Sequence, residues 1–297
     1  MANKSSKTST QSAVALPIDH LVINIGRKME QAHRVFKHLG FTLTPLGRHT
    51  MGSINHLMML DKDYIELIGL PDDGTETRGE LLLSQIGTDG LVFQSSDADQ
   101  TYQDLIGRKQ DVKPVQAFSR PVELDGKISD AKFKTVRYTP GFFPAGRVYF
   151  CQHLTPELVW RSEWQSHPNG AQSIAALLIV SKTPKRDAEQ YAAVCGGKAV
   201  RGKHGEYRIQ GHAYELVIVS QQAYEECFGP LVCDACGRAS YFGAIAIRTN
   251  KLDALRNILE HANPDSEIRW RDLGNRIALH VPGFNSLLEF IDTDNSI

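Results

Sequence analysis

The run DHLVIN at residues 19–24 decides the fold, together with YIELI at residues 64–68. Each run alternates polar with apolar residues, which is typical of a strand with one face buried against a core. The polar face carries His20 in the first run and Glu66 in the second. If these two faces meet in one cavity, an imidazole and a carboxylate become available together as ligands for a divalent metal.

Composition favours a globular chain of one large domain or two ordinary ones. The chain has 297 residues, of which 41% are hydrophobic and 23% are charged. Its formal net charge of -1 gives no basic field for nucleic acid and no attraction to a membrane surface. No apolar run approaches the roughly 20 residues that a membrane helix needs. Residues 1–16 are polar and rich in Ser and Thr, so we expect a disordered tail there.

The cysteines favour a cytoplasmic protein with free thiols. There are five of them, an odd number, and no secretion signal precedes them. Cys233 and Cys236 have the spacing of half a zinc or redox motif, but the chain has no second pair of that kind. We therefore interpret them as ordinary thiols.

One order of elements recurs four times along the chain: strand, helix, strand, strand, strand. In the first copy the strands are predicted at residues 18–25, 41–45, 53–60 and 64–70. The four helices are predicted at residues 29–39, 97–106, 185–194 and 252–261, with Asp97 as a helix cap and Gly196 as a stop. This order predicts an α+β fold, and residues 155–172 look like the linker between two halves.

Three stretches of the first unit carry a resemblance to a known family. They are IDHLVINI, the helix ending in LGF, and GRHTMGSINHLMMLDKDYIELIGL. Together they resemble the first unit of the vicinal oxygen chelate superfamily, in its glyoxalase-like domain group. The resemblance implies paired βαβββ units that form curved, cup-shaped mixed sheets. It places an N-terminal domain at residues 17–165 and a C-terminal domain at residues 170–297.

The resemblance also implies where a metal would bind. His20 falls on the family's ligand in the first strand and Glu66 on its ligand in the last strand. His153 is the candidate third ligand, because it ends the last strand of the second unit and should face the cup. In the C-terminal half, Ile174 and Phe242 stand near the positions where a histidine would be needed, so that half is expected to be metal-free.

Other residues are candidates for chemistry or substrate binding around this metal. Glu66 could act as a catalytic base, with Tyr64 or His56 assisting. The candidate substrate-binding residues are Arg48, Asn55 and Asn24. The simplest structural alternative is that Glu66 is buried in a salt bridge to Arg48, because an unpaired buried carboxylate is costly.

The expected function is that of a metal-dependent enzyme on a small oxygenated substrate that chelates the metal. The cofactor would be a divalent ion, Fe, Mn, Zn or Ni, and a lyase or isomerase is favoured slightly over an extradiol-type dioxygenase. The alternative is a non-catalytic small-molecule binding or resistance protein that uses the same cup. The orientation of His153 separates these two. The expected partner is the small-molecule substrate, with a homodimer as a further possibility through the C-terminal half.

Overall fold

A computed structural model describes residues 16–74, 78–124, 126–261 and 268–293 of the chain. The predicted tail at residues 1–16 lies outside these ranges, apart from Leu16. The amide of Leu16 donates a hydrogen bond to the carbonyl of Cys195.

The first half of the chain forms one eight-stranded mixed sheet. In spatial order its strands are β2-β3-β4-β1-β5-β8-β7-β6. Their bounds are β1 Ile18–Asn24, β2 Gly47–Arg48, β3 Ile54–Met59, β4 Tyr64–Gly69, β5 Gly87–Gln94, β6 Gln116–Leu124, β7 Lys127–Arg137 and β8 Arg147–His153.

The second half repeats this arrangement in another eight-stranded sheet, with the order β10-β11-β12-β9-β13-β16-β15-β14. Its strands are β9 Ala171–Ser181, β10 Ala199–Arg201, β11 Tyr207–Gln210, β12 Glu215–Val219, β13 Ser240–Thr249, β14 Arg269–Asp272, β15 Arg276–Val281 and β16 Ser286–Asp292. The helices are α1 Met29–His38, α2 Gly79–Leu83, α3 Ala98–Gly107, α4 Pro184–Cys195, α5 Gln221–Phe228 and α6 Leu252–Glu260.

Both sheets have the topology predicted from the sequence. In each unit the first strand pairs in parallel with the last one, and the first strands of two units pair in antiparallel at the centre of the sheet. Asp97 caps α3 by accepting a hydrogen bond from the Gln100 amide, and Gly196 ends α4 in the left-handed conformation. The predicted α+β fold of two cup-shaped sheets is therefore confirmed.

A single hydrophobic core joins the two halves. The alternate apolar residues of β1, Leu21 and Ile23, face this core with α1. From α1, Phe36 packs on Phe284 of the second half at a ring distance of 6.0 Å. One core therefore serves both sheets. The division into domains at residues 17–165 and 170–297 stays a prediction.

Some element predictions were wrong in detail. Residues 41–46 form no strand, and the short β2 lies after them at Gly47–Arg48. Neither α2 nor α5 was predicted, because both are short and carry weak apolar periodicity. All five cysteines lie in the described ranges and are free. Within those ranges no helix is long and apolar enough to cross a membrane.

Candidate active site

The polar faces of β1 and β4 meet in the N-terminal cup, as predicted. One row of paired residues crosses four neighbouring strands from Tyr64 through His20 and Val92 to Tyr149. Tyr64 stacks on the imidazole of His20 with ring centroids 4.4 Å apart, and Tyr149 meets the same ring edge-on at 5.9 Å. The two tyrosines therefore hold the His20 ring in one orientation at the floor of the cup.

A β-bulge at the start of β1 brings the carboxylate of Asp19 next to His20. Ile18 faces Phe93 and His20 faces Val92, so β1 uses two residues where β5 uses one. Asp19 is the extra residue, and a bulge of this kind re-aims a side chain that regular alternation would send to the other face. Asp19 Oδ2 lies 2.6 Å from His20 Nδ1.

The same carboxylate also binds His153. His153 Nε2 lies 3.1 Å from Asp19 Oδ2. His153 faces the cup, as predicted, because it pairs with Phe133 across β7 and β8, but it lies at the rim. The structure thus joins the two predicted histidine ligands through Asp19.

His20 and Glu66 form a pair with the geometry of two metal ligands. His20 Nε2 lies 3.7 Å from Glu66 Oε2, and both side chains are buried. Each has an outer partner, since Asp19 holds the other ring nitrogen of His20 and the Asn55 amide donates to Glu66 Oε1 at 2.7 Å. A carboxylate behind a ligating histidine is the usual outer support of a protein metal site, so the donor set fits a divalent ion.

The charges of these groups follow from their partners. Burial by itself would raise the pKa of Asp19, but the bonded imidazoles of His153 and His20 lower that pKa well below its usual range. Burial likewise opposes ionisation of Glu66, but His20 and the Asn55 hydrogen bond leave its pKa lowered. Two buried carboxylates therefore stay ionised in the cup, and a cation would offset their charge.

A second group of metal-ligating atoms lies beside the first. One atom each from Asp19, Cys151 and His153 lies within 4.8 Å of the other two. Burial, with the charges of Asp19 and Glu66, raises the pKa of the Cys151 thiol well above its ordinary value. Asp19 already accepts from both histidines, so this group has less free ligating capacity than the pair of His20 and Glu66.

Arginines surround the carboxylate of Glu66. Arg78 and Arg120 are buried and line the inner cavity of the cup, together with Arg137. Among the described residues, Arg120 Nη2 and Arg137 Nε have no hydrogen-bond partner, and neither has Asn55 Oδ1. Buried donors left open in this way are available to an anionic or carbonyl group of a ligand.

The inner cavity is small, and it adjoins a larger cleft. The part around His20 and Glu66 has a volume of only about 30 Å³. A cleft of about 440 Å³ shares Arg137 and Tyr149 with it and is also lined by Lys113 and Arg147. The cleft therefore adjoins the inner cavity at Arg137 and Tyr149, and the Tyr149 hydroxyl lies 3.4 Å from His20 Nε2.

Three predicted site residues do not point into the cup. His56 pairs with Leu67 on the core face of β3, bonds the Thr44 carbonyl at 2.6 Å and contacts His33 of α1. Its expected catalytic assistance is therefore corrected: Asn55 and Leu57, one residue to either side, are the cup-facing residues of β3.

Arg48 and Asn24 are corrected in the same way as candidates for substrate binding. Arg48 is exposed and pairs with Ile54, whose side chain joins the core on the outer face, so it forms no salt bridge to Glu66. Asn24 donates to the carbonyls of Ser84 and Gln85, both at 3.2 Å, and accepts from the Gly26 amide. It anchors the segment after α2.

Sequence reasoning did not find several residues of the site. Asp19 was passed over because strict alternation places it on the opposite face from His20, and no local signal marks the bulge. Arg120 and Arg137 lie on strands whose facing depends on register, and Arg78 directly precedes α2, a helix that was not predicted. Tyr149 and Cys151 line the inner cavity from β8, and no role was predicted for either.

A family model described as a glyoxalase-like domain matches residues 18–195, which is more than half of the chain. No curated protein matches the sequence.

Solved structures of similar shape have little sequence identity to the chain. A hypothetical protein from Staphylococcus aureus has a TM-score of 0.63 at 11% identity, covering 93% of this chain and 99% of that one. A triple mutant of 4-hydroxymandelate synthase from Streptomyces coelicolor has a TM-score of 0.54 at 12% identity, covering 96% and 94%. A fusion of a xylose isomerase-like TIM barrel with 4-hydroxyphenylpyruvate dioxygenase has a TM-score of 0.57 at 10% identity, covering 95% of this chain and 50% of that one. At these identities the likeness concerns the fold alone.

Proposed function

The chain belongs to the glyoxalase-like domain family, and from this we propose that its N-terminal cup is the active site of a metal-dependent lyase or isomerase. The observation that carries the proposal is the pair of His20 Nε2 and Glu66 Oε2, 3.7 Å apart, each supported by its own outer partner. His20 and Glu66 would hold the ion. A bound divalent ion would supply Lewis-acid polarisation of a substrate carbonyl.

The substrate class follows from the arginines. Arg120 Nη2 and Arg137 Nε are buried donors whose hydrogen bonds stay open among the described residues, and both guanidinium groups face the cup or its adjoining cleft. A carboxylate is the natural partner of such donors. We therefore propose a small anionic substrate, such as a 2-oxo or 2-hydroxy acid, with its acid group toward the arginines.

Proton transfer is assigned to Glu66. Within the described part of the chain it is the one carboxylate that lines the inner cavity, and its lowered pKa keeps it ionised at neutral pH. Glu66 would accept a proton at Oε2 from the carbon next to a polarised carbonyl on leaving the ion, while Oε1 keeps its hydrogen bond from Asn55. Tyr64 and Tyr149 hold the His20 ring and exclude water from the floor of the cup.

A lyase or isomerase is favoured over a dioxygenase by the position of His153. An extradiol-type centre needs three ligands on one face of the ion, and His153 would be the third. Its Nε2 is instead bonded to Asp19, on the opposite side of the His20 ring from Glu66. The same observation favours the second candidate function, metal-free binding of a small molecule, because it leaves two protein ligands at the pair.

Metal content is the deciding measurement. We would purify the full chain without added metal or chelator, reconstitute it with Fe(II), Mn(II), Zn(II) or Ni(II), and measure bound metal for wild type, Glu66→Gln and Cys151→Ser. Glu215→Gln is the matched control, because it removes a carboxylate at the corresponding end of a strand in the other sheet. We expect about one ion per chain in wild type, in Cys151→Ser and in the control, and a loss of at least tenfold in affinity in Glu66→Gln.

The other outcomes are equally informative. Loss of metal in Cys151→Ser alone would move the ion to the group of Asp19, Cys151 and His153. No metal in reconstituted wild type would overturn the enzyme and leave the binding protein. With metal present, conversion of 2-oxo or 2-hydroxy acids without uptake of dissolved oxygen supports a lyase or isomerase, and stoichiometric oxygen uptake contradicts it.

A further inference from the structure

The C-terminal sheet curls around a cavity that is larger than the inner cavity of the N-terminal cup. Its volume is about 690 Å³, against about 30 Å³ for the inner cavity around His20. The difference follows from side-chain size, because the corresponding floor of the N-terminal cup holds His20, Tyr64 and Tyr149. The C-terminal cup is instead floored by alanine and valine, so it has room for a whole small molecule.

One row of four residues crosses the floor of this cavity. It runs from Glu215 on β12 through Ala176 on β9 and Ala246 on β13 to Glu289 on β16. Neighbouring strands lie about 4.8 Å apart, so the Cα atoms of the two glutamates are separated by roughly 14 Å along the sheet. The two alanines between them form an apolar floor, with a carboxylate at each end.

Each glutamate is held by an arginine in the same way. Arg208 bonds Glu215 at 2.6 Å, and Arg276 bonds Glu289 at 3.0 Å. Arg208 lies two residues before Gln210, which pairs with Glu215. Arg276 likewise lies two residues before Ala278, which pairs with Glu289. Each bond uses one carboxylate oxygen, which leaves the second oxygen of each glutamate available to a ligand.

The charges of the lining favour a cation. The cavity is lined by four carboxylates but by only two guanidinium groups. The carboxylates belong to Glu206, Glu215, Glu226 and Glu289, and the guanidinium groups to Arg208 and Arg276. Arg208 is moreover shared between two of these carboxylates, since its Nε also bonds Glu206 at 3.2 Å. Burial raises the pKa of Glu289 although Arg276 opposes this shift, so the charge of Glu289 is incompletely compensated.

Aromatic side chains close one end of the cavity. Tyr224 and Phe228 of α5 line it, and both rings are buried. Aromatic faces attract cations and stack on flat apolar rings. The apolar floor, the aromatic end and the excess of carboxylates therefore all favour a ligand that is both aromatic and positively charged.

We propose that the C-terminal cup is a metal-free receptor for a planar aromatic cation, whose ring lies over Ala176 and Ala246 and whose amino or amidino groups bind Glu215 and Glu289. The site is independent of the proposed chemistry in the other cup. It uses different residues on a different sheet.

The test is a titration of the full chain with diamidino-phenylindole, a planar dication that becomes fluorescent in apolar sites. Ala246→Leu raises the floor between the two glutamates, and Glu289→Gln removes one carboxylate without changing its shape. Glu66→Gln, the same change in the N-terminal cup, is the matched control. Melting temperatures and circular dichroism of all variants verify that each one is folded.

We expect saturable binding of one dye per chain, at least tenfold weaker in Ala246→Leu, several-fold weaker in Glu289→Gln and unchanged in Glu66→Gln. Anilinonaphthalene sulfonate, an anionic dye of similar size, should not compete. The proposal is overturned if wild type does not bind the cation, if Glu289→Gln binds it as tightly as wild type, or if the anionic dye displaces it.

Discussion

Asp19 is the residue on which the geometry of the N-terminal site depends. Its Oδ2 bonds His20 Nδ1 at 2.6 Å and His153 Nε2 at 3.1 Å, so one buried carboxylate orients two imidazoles. With the Nδ1 proton of His20 directed at Asp19, the lone pair of Nε2 is directed toward Glu66. Replacing Asp19 by asparagine removes its charge and keeps its size. This change should weaken the preference of His20 for carrying its proton on Nδ1.

We expect Asp19→Asn to lower the affinity for the metal by about 10- to 100-fold, because outer partners of ligating histidines contribute on this order. Titration calorimetry with Zn(II) or Mn(II) on the full chain measures it. Asp61→Asn, at an exposed carboxylate that lines the same surface groove as Asp19, serves as control and should bind as wild type does. Equal affinity in Asp19→Asn and wild type would show that Asp19 does not position a ligand.

Arg120 is the second residue whose replacement should change the function of the N-terminal site. It is buried, lines the inner cavity and keeps Nη2 without a partner among the described residues. Arg120→Lys keeps the charge and loses the planar fork that binds a carboxylate through two bonds. We expect KM for an acidic substrate to rise at least tenfold while metal content stays at the wild-type level. An unchanged KM would remove Arg120 from substrate binding.

At the scale of elements, α1 does more than cover its own sheet. Its buried residue Phe36 contacts Phe41 at a ring distance of 6.3 Å and Phe284 of the second half at 6.0 Å. The helix therefore lies inside the shared core, with both sheets relying on its apolar stripe. A cavity at this position affects the packing of both halves at once.

We expect Phe36→Ala to lower the free energy of unfolding by roughly 3–5 kcal/mol, as for other buried phenylalanines. Urea unfolding followed by circular dichroism measures the change. Val200→Ala, at a side chain that is 62% exposed on β10, should stay within about 0.5 kcal/mol of wild type. A loss below about 1.5 kcal/mol in Phe36→Ala would mean that the core can close around the missing ring.

At the scale of the whole molecule, the turn between β3 and β4 links the two halves by hydrogen bonds. The Ile174 amide on β9 donates to the carboxylate of Asp63, at 3.1 Å to Oδ1, and the Asp61 amide donates to the Gln172 carbonyl at 2.8 Å. Burial raises the pKa of Asp63 to about 7, against the lowering effects of the Ile174 amide and Arg248. The charges of Asp61 and Asp19 add to the increase.

This raised pKa makes the junction sensitive to pH. Between the ordinary value of 3.8 and about 7, the folded chain holds a proton on Asp63 that the unfolded chain has released. The contribution of Asp63 to stability is therefore greatest at the acidic end of this window and is lost as pH rises through it.

We expect Asp63→Asn to be more stable than wild type at pH 8 and to show a smaller loss of stability between pH 5 and pH 8. Asparagine keeps an oxygen for the Ile174 amide and carries no charge. Chemical unfolding at a series of pH values measures this, with Glu123→Gln, at an exposed carboxylate on β6, as the control. Parallel pH curves for Asp63→Asn and wild type would contradict the assignment.

The sequence by itself determined the fold and half of the site. Alternation of polar and apolar residues placed His20, Tyr64 and Glu66 on one face, because successive side chains of a regular strand point to opposite faces. The order of strands and helices predicted the content of both sheets. In each unit the helix returns the chain so that the second strand runs in the direction of the first, and two antiparallel reversals then leave the last strand parallel to the first. The same reasoning placed His153 on the cup side of β8.

Only the tertiary structure decided which polar groups meet. A bulge turns Asp19 toward His20 and His153, and a bulge depends on how two distant strands pair, which local alternation does not encode. The facing of His56 and Arg48 depended likewise on the register of β3, where a shift by one residue exchanges the two faces. The arginines of the cup come from segments far apart in the chain, and only the curved sheet brings them to one carboxylate.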